Sequence, residues 1–190
     1  MTIAHEDPHD PADPLDAPTA ALAAAVLEIA RHVEGEHLAS PRWFALVNAA
    51  QLLAQQPALA AVLGEESAAV MAEDDLQLMS IELDEIAGQS SMDPLHALEQ
   101  VQWPDVATGA VLAGDLSSDQ WALRTSEDDP SPSAPTVADG TGTLRIVVGA
   151  LEDGTTWSAL RRAGEQQYTL GAALLPALTD ALLESLQHTS

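Results

Sequence analysis

The sequence predicts an α+β domain: a mainly antiparallel β-sheet with helices packed on one face, in the order α-β-α-β-α-β-β-β-α. Three observations carry this. Amphipathic helices stand near both ends, short apolar or alternating runs lie between them, and "LRIVVGALEDGTTWSALRR" (144–162) reads as a hairpin turned at Asp153 and Gly154. Strands joined by tight turns pair antiparallel, because a parallel neighbour needs a long crossover.

Residues 1–17, "MTIAHEDPHDPADPLDA", alternate acids with prolines, can bury no face and read as a disordered tail. A single domain then spans 18–188. Its first helix, 18–34, carries Leu22, Val26, Ile29 and Val33 on one stripe, with alanine on the flanks for close packing and Gly35 as its stop. "PRWFALVN" (41–48) is a short apolar strand, "AAQLLAQQ" returns to helix, and Pro57 breaks it before one or two further turns end at Gly64. The polar stretch "EESAAVMAEDD" leads into "LQLMSIELDEI", whose alternation predicts a strand with Glu82 and Asp84 on its solvent side. Asp93 caps the next helix, with Pro94 at its first position, and Trp103–Pro104 closes it. "VATGAVLAGDL" (106–116) is the third strand, with a resumption at "WALR" (121–124). A Ser/Pro/Asp-rich mobile loop covers 125–141, the hairpin follows, and residues 174–187 form a last helix with Leu175, Leu178, Leu182 and Leu186 on one face.

Composition narrows the function. The chain of 190 residues is 46% apolar, enough for a real core, yet only 3% aromatic, which makes the four tryptophans its largest packing pieces. A formal net charge of −24 argues against nucleic-acid binding and against anionic membrane surfaces, since both depend on Lys and Arg. The absence of cysteine removes disulfides and thiolate chemistry, and the absence of lysine removes Schiff-base chemistry and P-loop nucleotide handling. "MTIAHEDPHD" has neither the basic nor the apolar region of a signal peptide, which predicts a cytoplasmic protein.

Half of the six basic residues, Arg145, Arg161 and Arg162, lie at one end of the hairpin. A two-residue Asp153-Gly154 turn sets Trp157 opposite Ala150, Arg161 opposite Ile146 and Arg162 opposite Arg145. Like charges directly opposed destabilise a sheet by about 0.2–1 kcal/mol, so something must compensate. Neighbouring carboxylates, an anion clamped by two guanidinium forks, or a bulge that shifts the register would each do so. Arg124 joins the group if "WALR" is a neighbouring strand. Trp103, locked before Pro104, is either a core piece or an exposed knob for a partner.

Other candidates are thin. His5 and His9 sit in the tail, Glu28 and His32 share a helix face just before His37, and His96 and His188 have no evident partner, so no metal site or cofactor is predicted. There is no G-x-S-x-G elbow and no EF-hand spacing, and "DGTGTLR" lacks what a phosphate loop needs.

Taken together, "RWFALVNAAQLLAQQPALAAVLG" (42–64), "WPDVATGAVL" (103–112) and "LRIVVGALEDGTTWSALRR" (144–162) with the Leu-rich final helix resemble an uncharacterised family of small acidic actinobacterial proteins. The resemblance implies an α+β fold and cytoplasmic residence, and no catalytic residues. At fold level the pattern is similar to secretion-chaperone-like domains, which bind other proteins. The expectation is therefore a non-enzymatic acidic protein-binding or adaptor module acting through an exposed sheet face or groove, as a monomer or homodimer. The alternative is a small-molecule or anion-binding domain, enzymes included, that uses Arg145, Arg162 and Arg124.

Overall fold

The computed structural model describes residues 15–74, 76–84, 93–117, 142–172 and 174–188. Among them, β1 (Arg42–Asn48), β2 (Leu78–Glu82), β3 (Ala107–Leu116), β4 (Leu144–Leu151), β5 (Thr156–Arg162) and β6 (Thr169–Gly171) form one antiparallel sheet in the order β2-β1-β3-β4-β5-β6. The helices are α1 (Ala17–His32), α2 (Ala49–Gln55), α3 (Pro57–Leu63), α4 (Glu65–Glu73), α5 (Pro94–Leu98) and α6 (Pro176–Gln187). The fold is α+β, as the hairpin and terminal helices predict. None of these helices is long and apolar enough to cross a membrane. The residues expected as a disordered tail, the "WALR" strand and the 125–141 loop lie outside the described residues, apart from Leu15, Asp16 and Ala17.

The helices cover both faces of the sheet, not one. The stripe of α1, with Leu22, Val26, Ile29 and Val33 at 1% exposure or less, packs on Phe44, Leu46, Val111, Ala113, Val147 and Ala159. On the opposite face α5 and α6 cover Trp43, Ala45, Ala110, Leu112, Ile146, Val148 and Leu160. The signal lay in the central strands: "FALV" and "RIVVGAL" are apolar without alternation, so neither face can be left to water. α1 approaches its face closely because Gly149 stands beneath it; a Cβ there would meet Val26 Cγ2 at 2.9 Å.

The hairpin register is shifted by one residue from expectation. Leu151 N–H donates to Thr155 O at 2.8 Å, Gly154 N–H donates to Leu151 O at 3.0 Å, and Gly154 has φ +93°. The connection is thus the three residues Glu152, Asp153 and Gly154, with glycine in the left-handed position that such a turn requires, and Asp153 Oδ1 accepting from Thr155 N–H at 2.8 Å. Arg145 consequently faces Arg161, while Arg162 faces Leu144 and moves to the other side of the sheet. Two elements were not expected: α4, where a polar stretch was read, and the three-residue β6 beside β5.

Candidate functional site

A cleft of about 500 Å³ opens where the end of α1, β3, β4 and β5 converge, lined by Glu34, Glu36, His37, Asp115, Arg145, Arg161, Arg162 and Glu165 among others. All three hairpin arginines border this cleft, but the register sets only Arg145 and Arg161 on the same face of the sheet. Arg124 lies outside the described residues.

The guanidinium groups are largely spent on the protein. Arg145 Nε donates to Asp115 Oδ1 and Nη2 to Asp115 Oδ2 (3.0 Å), while Nη1 donates to Val33 O (2.8 Å) and Nη2 to Glu36 O. Asp115 and Arg145 are cross-strand partners in the β3–β4 register, with side chains only 8% and 11% exposed. The hydrogen bond to Asp115 raises the Arg145 pKa above its usual value, with burial opposing. The cation also faces carbonyls just past the C-terminus of α1, which carries the negative end of the helix dipole. Arg161 Nη1 donates to Glu34 Oε1 at 2.5 Å, and its guanidinium lies 4.7 Å from the centre of the Tyr168 ring. Arg162 uses its backbone N–H toward Glu165 Oε2 at 3.4 Å.

Of the compensations open to an arginine pair, carboxylates operate: the register shift only exchanges Arg162 for Arg161 opposite Arg145, and Asp115 and Glu34 take up that pair. Asp115 was not among the expected site residues. Its signal was one acid at the end of the otherwise uncharged run "VATGAVLAGDL". Glu82 is exposed, as expected, and also pairs: its Oε1 accepts from Arg42 Nε at 2.5 Å, and Arg42 Nη1 reaches Glu36 Oε2 at 2.6 Å. His32 Nε2 lies 3.7 Å from Glu82 Oε2, and among the described residues no three such side chains gather as a metal group. Trp103 is 4% exposed, stands edge-on to Trp43 and donates from Nε1 to Ser185 Oγ at 3.0 Å. Of the two readings of Trp103, burial supports the core piece and removes it from the candidate partner-binding residues, since a buried ring offers a partner no surface.

A second region has the opposite character. From Trp43 to Leu95 the sequence holds no Arg, Lys or His, yet it holds Glu65, Glu66, Glu73, Asp74, Asp75, Glu82, Asp84, Glu85 and Asp93. This is also where apolar side chains reach water: Val62 is 82% exposed, Val70 68%, Leu76 43% and Ile81 38%. α2, α3 and α4 lie against one another, and among their described side chains only Ala49, Leu53 and Ala68 are buried.

Comparison with curated proteins finds no match, and comparison with solved structures finds none either. One family model does match, described as PPA1309-like protein, over residues 22–187. It covers α1 from Leu22 onward, the whole sheet and α6, and it brings no activity or site residue with it. On the strength of that match the chain belongs to the PPA1309-like protein family.

Proposed function

We propose that this chain is a non-enzymatic protein-binding module whose docking surface is the acidic, apolar segment from α3 to β2. One observation carries the reading: four of the six exposed large apolar side chains among the described residues, Val62, Val70, Leu76 and Ile81, fall in that segment. Exposed apolar side chains concentrated in one segment and rimmed by charge are what a docking surface presents. The anion-binding alternative has less support, because Arg145 and Arg161 already give donors to Asp115, Glu34 and two backbone carbonyls. A chain without cysteine suits the reducing cytoplasm, which is where this reading puts it.

The test is a double substitution, Val62→Asp with Val70→Asp, which alters two exposed side chains and no buried contact. A partner retained by the full-length chain from native extract should be lost by the double variant while its melting temperature holds. Retention by that variant, or loss on Arg162→Ala instead, would move the binding surface elsewhere. Under the anion reading, added phosphate would raise the melting temperature; under this one it leaves it unchanged.

A further inference from the structure

Strand β2 lies at one margin of the sheet, and half of its hydrogen-bonding capacity is turned outward. Ala49 N–H donates to Gln77 O at 2.9 Å and Leu83 N–H donates to Trp43 O at 2.8 Å. Between these bonds Met79 pairs with Val47 and Ile81 with Ala45. In an antiparallel ladder, residues that exchange bonds with the neighbour alternate with residues that do not. Gln77, Met79, Ile81 and Leu83 therefore face β1, and the N–H and C=O of Leu78, Ser80 and Glu82 point away from it. Among the described residues nothing bonds to those outward groups. Ser80, Ile81 and Glu82 are exposed.

We propose that β2 accepts an added strand from the partner: an extended protein segment bearing Lys or Arg, paired with the backbone of Leu78, Ser80 and Glu82. This deepens the reading above and rests on it. Strand addition draws affinity from backbone bonds and selectivity from alternate side chains. Here the selecting charge is mainly negative: the stretch from Trp43 to Leu95 has nine acids and no cation, of which Glu82 is already paired with Arg42. A second copy would bring the same acidic stretch against itself, on a chain of net charge −24, whereas a basic segment meets a complementary field. On the face carrying Met79 and Ile81, apolar residues of the incoming strand find half-buried and exposed apolar neighbours.

The experiment uses the full chain and a labelled seven-residue peptide of alternating Lys and Val, with a Glu/Val peptide as control. The Lys/Val peptide should bind saturably, more weakly as salt rises, and the control should not bind. Binding should slow amide hydrogen exchange at Leu78, Ser80 and Glu82, a readout that needs no variant. Ser80→Pro deletes one outward N–H and leaves every bond to β1 in place, so it should weaken the peptide about tenfold with the fold intact. Absent saturation, unchanged exchange at those amides, or equal binding by S80P each overturns the proposal. So does a doubling of mass in sedimentation that S80P abolishes, because the occupant is then a second copy. If S80P keeps the native partner that the Val62/Val70 variant loses, strand addition fails and the docking segment stands; if neither loses it, both fail.

Discussion

Tyr168 brings its ring beneath the Arg161 guanidinium, while its hydroxyl is buried with no hydrogen-bond partner among the described residues. Burial pushes the phenol pKa above its ordinary value of about 10, with Arg161 and Arg145 pulling the other way. The neutral phenol is therefore the form the fold prefers. A raised folded pKa means stability that is whole below the unfolded value and is lost as pH rises through the folded one. This window is open to measurement because the chain has one tyrosine, no lysine and no cysteine. Tyrosinate absorbance should rise at higher pH in the native chain than in the unfolded one. Across the same window the melting temperature of wild type should fall more steeply than that of Tyr168→Phe, which at neutral pH should lie within about 1 kcal/mol of wild type. Superimposed titrations would refute this. None of it was legible beforehand: nothing around "GEQQYTLG" says that its tyrosine lies beside an arginine seven residues earlier.

At the scale of elements, Asp115 and Arg145 join three pieces of the fold. The carboxylate holds β3 to β4 and also accepts Leu38 N–H at 3.0 Å, just beyond α1. Replacing Asp115 by Asn leaves a mostly buried cation short of its counter-charge, and the loss should be about 3 kcal/mol in urea unfolding. A loss below about 1 kcal/mol would show that backbone carbonyls alone hold Arg145. Element positions were largely readable, because α1, β1, β3, β4, β5 and α6 each declare themselves by periodicity or by a continuous apolar run. α4 was missed because it buries only Ala68, so it shows no apolar stripe. The three residues of β6 are too few to show a period. The hairpin register failed on one residue: Asp153-Gly154 reads as a two-residue turn, and only the closure between Leu151 and Thr155 reveals three.

For the whole molecule, charge is the controlling quantity. At −24 the folded chain repels itself, and screening should relieve that. Raising salt from low ionic strength to about 0.15 M, where the Debye length is about 8 Å, should raise the melting temperature. A fall instead would mean that the ion pairs of the arginine cleft outweigh the general repulsion. The sequence by itself determined the class of fold, the stripes of α1 and α6, the exclusion of thiol and lysine chemistry, and the meeting of scarce arginines near one sheet end. Those follow from period, composition and nearness along the chain. Tertiary structure alone decided that helices cover both faces, that Asp115 and Glu34 take up Arg145 and Arg161, that Trp103 is core, and that β2 is the terminal strand of the sheet among the described residues. Each of these depends on pairing between residues tens of positions apart, where a shift of one residue exchanges the two faces of a strand.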